Sequence, residues 1–362
     1  MNLLEKFKGT VDLLDKFSKT YNHKNCLVSG GASFIGSHLV DTLLHLGANV
    51  KIIDDFSSGK LQNLDDAFNS NKLSIVDHDI VTLENVENEF KDMDYVFNLA
   101  AVHGGRGFIE SHGKEMLKNL MIDQIVFKSA VSANAQTVVH ASSACAYPID
   151  LQSDSNSRNL LQEKQANFEN AGSAFPDGVY GWTKLMGEFQ LKLLTEKTST
   201  RGRAARIFTA YGPRENESHA AIALIAKSYL KMDPFEIWGT GEQTRNFTYV
   251  ADTVAGLILG SQDLDQTFYS YNIGTSSHVT VNEFTNVIFT LFNWNPNRVN
   301  HDLTKPAGVG SRASNNQFIS NKFGWQPTIT IQEGLTQTID WYLSYENKVK
   351  TLEELFIKLN SR

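Results

Sequence analysis

A doubly wound parallel α/β sheet with a smaller C-terminal α/β lobe is the fold class that the sequence predicts. Short apolar strands alternate with helical periodicity through the first half of the chain, a pattern typical of parallel sheets with helices on both faces. A glycine-rich turn joins the first predicted strand to the first predicted long helix. The 362 residues are 41% hydrophobic and 20% charged, which is enough to bury a large core.

Residues 1–24 predict a separate amphipathic helix. Their apolar positions recur at helical spacing, and charges interrupt them every few residues, unlike the apolar centre of a signal peptide. We expect this helix to pack on the main body or on a neighbouring subunit.

Residues 25–54 predict a strand, a turn, a helix and a second strand. Apolar residues 26–28 form the first strand, residues 34–46 the helix and residues 50–53 the second strand, with Gly47 ending the helix. Gly30 and Gly36 leave a loop without bulky side chains at the helix N-terminus, where phosphates bind. Asp54, at the tip of the second strand, suits ribose hydroxyls and repels a 2′-phosphate, so NAD is favoured over NADP.

Further strands are predicted at residues 73–76, 95–99 and 137–140, and ligands bind at the C-terminal ends of such strands. A Rossmann-type NAD-binding domain is therefore predicted mainly over residues 25–205, and a substrate-binding lobe mainly over residues 206–362, with some crossing of the chain between them. The closing segment, from residue 323, predicts a short strand followed by an amphipathic helix. The predicted cofactor contacts are Gly30, Gly31, Ser33, Phe34, Ile35, Gly36, Asp54, Asp55, Ser58, Asp79, Ile80, Leu99, Ala100, Ala101, Tyr180 and Lys184.

Several motifs resemble the extended short-chain dehydrogenase/reductase family of nucleotide-sugar epimerases and dehydratases. They are SGGASFIGSHL at 29–39, NLAA at 98–101, YGWTK at 180–184 and YGP at 211–213, and the resemblance runs from about residue 25 to about residue 345. AAVHGGRGFIESH at 100–112 and SSACAYP at 142–148 resemble the GDP-mannose 3,5-epimerases within it. The resemblance implies an NAD-dependent enzyme that oxidises C4 of a nucleotide sugar, exchanges protons at C3 and C5 and reduces C4 again. It also implies a GDP-sugar substrate and a homodimer.

Tyr180 and Lys184 are four residues apart and share one face of a predicted helix. An ammonium near a phenol favours the phenolate, which can take the proton of a sugar hydroxyl. Ser143 is expected to hydrogen-bond the reacting oxygen. A Tyr-x-x-x-Lys pair alone is usually structural, and its place after a dinucleotide-binding segment is what favours catalysis here.

Cys145 is predicted to be an acid–base group. In an extended strand it would share a face with Ser143, two residues earlier. A ketone at C4 makes the C3 and C5 hydrogens acidic, and a thiol is a workable acid or base for them. A small buried thiol is the alternative, and Cys26, in the first strand, is interpreted as core.

The second acid–base group is predicted to be His219. The resemblance places a lysine after the YGP motif, but residues 214–219 read RENESH here, and the next lysine is Lys227. Ser33 also stands where the phosphate loop of the family has its middle glycine, and Thr209 and Ala210 precede YGP where the family often has Asn.

The predicted substrate contacts are His103, Gly104, Gly105, Ser143, Arg245 and Arg312. The two arginines lie on predicted loops, and their forked guanidinium groups suit a diphosphate. The polar residues 151–178 predict an insertion or lid before the catalytic tyrosine.

Three alternative functions stay open. An NDP-sugar 4-epimerase would leave Cys145 idle. A 4,6-dehydratase would usually have an Asp–Glu pair at Ala144 and Cys145. A non-catalytic nucleotide-sugar binder would not need Ser143, Tyr180 and Lys184 together.

The net charge of −7 argues against nucleic-acid binding, and no apolar run approaches a membrane span of about 20 residues. Two cysteines favour the reducing cytoplasm, and no metal-ligand pattern is evident.

Overall fold

The structure is a computed structural model that describes residues 18–167, 175–262, 265–345 and 348–361. Most of the predicted N-terminal helix, residues 1–17, lies outside the described residues. Its last part forms helix α1 (Ser18–Tyr21), and Tyr21 is fully buried in the main core.

The strands of the described part are short and mostly buried. In chain order they are β1 (Asn25–Ser29), β2 (Asn49–Asp54), β3 (Leu73–Asp77), β4 (Tyr95–Asn98), β5 (Thr137–Ser143), β6 (Arg201–Ile207), β7 (Ala210–Tyr211), β8 (Phe235–Trp238), β9 (Thr244–Arg245), β10 (Thr248–Tyr249), β11 (Phe268–Ile273), β12 (Val279–Thr280) and β13 (Val299–Asp302).

The helices alternate with these strands. After α1 they are α2 (Phe34–His45), α3 (Arg106–Ser111), α4 (Gly113–Met116), α5 (Lys118–Ser132), α6 (Gly178–Thr195), α7 (Ala220–Tyr229), α8 (Val250–Gly260), α9 (Val281–Leu291), α10 (Gln317–Phe323), α11 (Ile331–Ser344) and α12 (Leu352–Ser361). The four long strands and the helix predicted between residues 26 and 99 lie within two residues of their observed bounds.

Seven strands form one parallel sheet, in the order β11-β6-β5-β4-β1-β2-β3. The strand order reverses between β1 and β4, where Val28 pairs with Ile52 on one side and Phe97 on the other. The predicted doubly wound fold is therefore confirmed. Such a reversal opens a crevice beyond the C-terminal strand ends, which is where this fold class binds ligands.

Helices cover both faces of the sheet. Leu39 of α2 and Leu257 of α8 pack in the core cluster that contains Val28, whereas Val126 of α5 and Leu191 of α6 pack with Leu27 on the opposite face. Consecutive strand residues are therefore buried on alternate sides, which explains the unbroken apolar run at residues 26–28.

The C-terminal part contributes to the sheet and also forms three two-stranded sheets, which pair β7 with β10, β9 with β12 and β8 with β13. Strand β11 and helix α8 follow residue 205 in the chain and yet belong to the sheet of the first part. The division of the chain at residue 205 stays a prediction.

The strand predicted at the start of the closing segment is wrong. No strand forms between Gly324 and Thr330. The backbone N–H groups of Thr328 and Ile329 donate to the Asp252 carboxylate at 3.1 Å instead of to a neighbouring strand. The predicted helix follows as α11.

Candidate active site

A cleft of about 300 Å³ lies at the C-terminal ends of β1, β2 and β4. Most of the predicted cofactor contacts line it: Gly30, Ser33, Asp54, Asp55, Ser58, Asp79, Ile80, Leu99, Ala100 and Ala101. Phe34, Ile35, Tyr180 and Lys184 line the adjoining cleft described below. Gly31 and Gly36 line neither cleft. Their lack of a side chain allows neighbouring groups to pack closely against them.

Close packing explains why glycine occupies the turn before α2. Gly30 has a φ of +71°, and a Cβ there would lie 2.8 Å from the Ala100 backbone nitrogen. A Cβ on Gly36 would overlap the Gly30 carbonyl oxygen, and one on Gly31 would lie 2.5 Å from Ile52. The Ser33 hydroxyl donates to the Gly30 carbonyl at 2.6 Å and caps no amide of α2, so the first N–H groups of this 12-residue helix have no side-chain cap.

The Asp54 carboxylate is held at the mouth of this turn. Its two oxygens accept from the backbone N–H groups of Ala32 at 2.8 Å and Phe56 at 2.9 Å. Burial raises the pKa of Asp54, and these two hydrogen bonds lower it. Each oxygen keeps a further lone pair. The side-chain-free turn, the helix N-terminus and the carboxylate together fit the pyrophosphate and adenosine ribose of NAD.

A second cleft, of about 360 Å³, adjoins the first and brings the predicted catalytic residues together. Its lining includes Ser143, Cys145, Tyr180, Lys184, His219, His103, Gly104, Gly105 and Arg312.

Ser143 and Cys145 share this cleft for a reason different from the predicted one. Strand β5 ends at Ser143, and residues Ala144–Ala146 form a 3₁₀ turn, so the expected extended strand is wrong. The turn forms because the Cys145 N–H donates to Ser143 Oγ at 3.1 Å. The thiol is 8% exposed and faces the other catalytic groups from this turn.

Tyr180 and Lys184 lie one turn apart on α6, with Lys184 Nζ 5.6 Å from the centre of the Tyr180 ring. Burial raises the pKa of Tyr180, and the charges of Cys145 and Asp123 raise it further. Burial also lowers the pKa of Lys184, against the opposing effects of Asp123 and Cys145. The pKa of Tyr180 is therefore raised, whereas the sequence predicts that Lys184 favours the phenolate.

Two histidines line the same cleft as Tyr180. The His103 ring centre lies 5.0 Å from that of Tyr180 and 5.2 Å from that of His219. Burial lowers the pKa of His103 to about 3, with contributions from His219 and Lys184. His219 Nδ1 lies 3.2 Å from the Oε1 atom of Glu215, a cleft residue that no local sequence pattern singles out.

Arg312 contacts the thiol of Cys145. Its Nη1 donates to Cys145 Sγ at 3.4 Å, its Nη2 to Asp177 at 2.9 Å and its Nε to Gln152 at 2.6 Å. Asp177 also accepts from Arg106. Asp177 and Gln152 were not predicted, because nothing in the local sequence shows that residue 312 reaches them.

Arg245 lines neither cleft. Its guanidinium donates to the carbonyl oxygens of Thr244, Ala307 and Val309 at 2.7 to 2.8 Å. Burial, Arg312 and Arg106 lower its pKa to about 9. Arg245 is thus bonded to backbone and Arg312 to Cys145, and the diphosphate clamp of the two arginines stays a prediction.

The described part of the predicted insertion is fixed to the C-terminal part of the chain. Residues Ile149–Gln152 and Glu163–Gln165 form short 3₁₀ turns, and the Leu161 N–H donates to the Ala313 carbonyl at 2.9 Å. Gln152 is fully buried against Arg312. Residues 168–174, which the prediction included, lie outside the described residues.

Comparison with known families gives a match over residues 26–274 to the NAD dependent epimerase/dehydratase family. The chain belongs to this family. The family match confirms the prediction of an NAD-dependent enzyme of the nucleotide-sugar epimerase type. It also confirms NAD as the predicted cofactor.

Similar proteins share most of the chain. GDP-mannose 3,5-epimerase 1 of Oryza sativa subsp. indica is 32% identical, over 90% of this chain and 83% of its own length. The uncharacterized UDP-glucose epimerase YtcB of Bacillus subtilis (strain 168) is 30% identical, over 88% of this chain and 97% of its own. The structure of MoeE5 in complex with UDP-glucuronic acid and NAD is 28% identical, covers 88% of this chain and 98% of its own, and superposes with a TM-score of 0.73.

Across residues 18–167, 175–262, 265–345 and 348–361, no three His, Cys, Asp or Glu side chains come together as a metal site. Within the same ranges, no helix is both long enough and apolar enough to cross a membrane.

Proposed function

We propose that the protein epimerises a nucleotide sugar through a transient ketone at C4, with proton exchange at C3 and C5, as a GDP-mannose 3,5-epimerase does. The observation that carries the proposal is the Cys145 thiol in one cleft with Ser143, Tyr180 and Lys184. Oxidation and reduction at C4 need only the last three residues, so a thiol beside them supports an added proton-transfer step.

In this proposal Tyr180 takes the proton of the C4 hydroxyl while Ser143 holds the same oxygen. Lys184, 5.6 Å from the ring centre, stabilises the phenolate as it forms. Bound NAD supplies the hydride acceptor. With C4 as a ketone, one of Cys145 and His219 removes the proton of the neighbouring carbon, and the other returns a proton to the opposite face.

The sugar end of the substrate is proposed to contact His103, Gly104, Gly105 and Arg312, which line the catalytic cleft. We do not assign the diphosphate to Arg245, because its N–H groups donate to backbone carbonyl oxygens. A GDP-sugar is favoured by the similarity to the rice epimerase.

A homodimer is proposed through α5 and α6. Five large apolar side chains on these helices are exposed by 39 to 54%: Met121, Val179, Trp182, Met186 and Leu193. A second copy of the same face would cover them and remove their apolar surface from water. Light scattering tests this, and Trp182→Glu should give a monomer.

A cytoplasmic location is also proposed. Cys26 and Cys145 are free thiols, which suits a reducing compartment. Labelling both thiols in unfolded protein taken directly from cells tests it, and a protein found oxidised would argue for another compartment.

An NDP-sugar 4-epimerase is the second candidate. It is favoured by the absence of a lysine between Pro213 and Lys227 and by the similarity to the Bacillus subtilis protein. In this case Cys145 would be idle, and the hydride would return to the opposite face of C4.

Proton NMR in heavy water, with GDP-mannose and a panel of UDP-sugars, separates the two candidates. Deuterium at C3 or C5 of the epimerised sugar supports the first, and inversion at C4 without deuterium supports the second. Cys145→Ala should abolish deuterium uptake, Tyr180→Phe should abolish all turnover, and Cys26→Ala, in β1 outside the cleft, serves as the matched control. Bound NAD without turnover of any sugar would contradict both.

A further inference from the structure

The loop that follows β7 places a carboxylate against an imidazole inside the catalytic cleft. His219 Nδ1 and Glu215 Oε1 are 3.2 Å apart, and both residues line the cleft. The Glu215 side chain is 4% exposed. Its other oxygen, Oε2, is buried without a hydrogen-bond partner among the described residues. A half-satisfied buried carboxylate costs stability, so it calls for an explanation other than packing.

The position of His219 explains why a carboxylate is useful there. His219 is the N-cap residue of α7, a helix of ten residues. The partial positive charge of a helix N-terminus disfavours an added positive charge at that position, and the cations Lys184 and Arg214 line the same cleft. Arg214 is paired with Asp41, which leaves Glu215 as the carboxylate in contact with the His219 ring.

The two histidines of the cleft differ in their partners. Among the described residues His103 has no carboxylate partner, and burial lowers its pKa to about 3, so it stays neutral. His219, with its ring centre 5.2 Å away, has Glu215 as a partner. Of the two histidines, His219 is therefore the one with a carboxylate placed to stabilise a proton on its ring.

We propose that Glu215 is a positioning residue: it holds His219 with Nδ1–H toward Oε1 and Nε2 toward the substrate, and stabilises the imidazolium when Nε2 takes a proton. The proposal rests on the proposed C4-ketone chemistry. In the step concerned, the bond between carbon and hydrogen breaks, its electron pair moves into the C4 carbonyl as an enolate, and the proton goes to Nε2. The Cys145 thiol then gives its proton to the opposite face of the carbon. The resulting thiolate and imidazolium are restored by the reverse pair of transfers at the second carbon, or by exchange with water.

The test uses the full-length, NAD-loaded protein and its Glu215→Gln, His219→Asn and Glu217→Gln variants. Glu217 is the matched control, because it lies two residues further along the same loop and binds the Val349 N–H and Lys358 rather than His219. Two signals are followed when a nucleotide sugar is added: the absorbance of reduced nicotinamide, which reports oxidation at C4, and deuterium uptake from heavy water. Histidine NMR of the same proteins, without sugar, follows the titration of His219, identified by the resonance that His219→Asn removes.

Glu215→Gln should keep the reduced-nicotinamide signal within about twofold and slow deuterium uptake about 100-fold. The His219 titration midpoint should move to lower pH in Glu215→Gln and stay unchanged in Glu217→Gln. A purely structural role of Glu215 would lower both signals together, so slowed deuterium uptake with an unchanged reduced-nicotinamide signal would contradict it. Wild-type deuterium uptake in Glu215→Gln, or an unmoved midpoint, would overturn the proposal. If no sugar reduces the cofactor in the wild type, the proposed function itself fails, and this inference with it.

Discussion

Arg312 donates a hydrogen bond to the sulfur of Cys145 at 3.4 Å, across 167 residues of sequence. Asp177 and Gln152 fix the other two donor positions of the same guanidinium, so the cation is held in place rather than free to reach solvent. A fixed cation beside the sulfur stabilises the thiolate that forms when Cys145 gives up its proton.

Arg312→Met should therefore make Cys145 less reactive. We expect alkylation by iodoacetamide at neutral pH to slow about tenfold, because the thiolate loses its cationic partner. Mass spectrometry of the alkylated peptide over time measures the rate.

The alkylation experiment has internal controls. Cys145→Ala should remove the labelling, since Cys26 is fully buried in β1, and the exposed Arg298→Met should leave the rate unchanged. Equal rates in Arg312→Met and the wild type would show that the guanidinium does not act on the thiol.

Gly36→Ala should weaken NAD binding. The added methyl group overlaps the Gly30 carbonyl oxygen, so the turn that faces the cofactor must shift. We expect a loss of about 1–3 kcal/mol in the free energy of unfolding and at least about tenfold in NAD affinity. Gly107→Ala is the matched control, because its methyl group would lie 3.8 Å from Trp238, an ordinary contact. Calorimetric NAD titration of both variants checks this, and equal affinities would contradict the role of the turn.

Asp54 should make the protein select NAD over NADP. Its carboxylate lies in the cofactor cleft, held by the N–H groups of Ala32 and Phe56, and it repels a 2′-phosphate. Titration with each cofactor should show a preference for NAD of at least about tenfold, equivalent to about 1.4 kcal/mol. Asp54→Asn should narrow that preference, whereas Asp65→Asn, exposed and outside both clefts, should not. Equal affinities for the two cofactors in the wild type would refute the assignment.

Local sequence was enough to predict the fold of the segment that is proposed to bind the cofactor. The glycine turn, α2 and the strand that ends in Asp54 are close in the chain, and their geometry follows from short-range periodicity and steric limits. The same holds for Tyr180 and Lys184, which one helix places on one face.

The substrate half depends on contacts that no local pattern encodes. Arg312 was predicted to bind phosphate as a loop arginine, but it reaches Cys145 because the segment around Ala313 lies against Leu161. Ser143 and Cys145 were expected on one strand, and a side-chain hydrogen bond turns the chain there instead. Glu215 was overlooked because its importance appears only when α7 places His219 beside it.

A buried polar cluster beneath Lys184 was also missed, and it makes stability depend on pH. Asp123 on α5 and His140 on β5 are both buried, with His140 Nδ1 3.6 Å from Asp123 Oδ1. Asn98 donates to the same oxygen at 2.7 Å. Burial raises the pKa of Asp123 to about 7, against the opposing effects of Lys184 and Asn98. Burial and the charge of Lys184 lower the pKa of His140, which therefore stays neutral.

Asp123→Asn should change how stability varies with pH. Because its pKa is raised on folding, the folded protein holds the Asp123 proton up to about pH 7, whereas the unfolded chain releases it near its ordinary value. The stability due to this proton is complete at low pH and is lost as pH rises toward 7. Asparagine has no such proton. Between about pH 4 and pH 8 the free energy of unfolding of the wild type should therefore fall by about 2 kcal/mol or more relative to that of Asp123→Asn. The slope should be about 1.4 kcal/mol per pH unit. Denaturant unfolding of both proteins at several pH values measures the difference between their free energies of unfolding. The other titrating groups are the same in both proteins, so their contributions largely cancel. A difference that stays constant with pH would mean that Asp123 is already ionised in the folded protein at low pH, and that Lys184 compensates its charge fully.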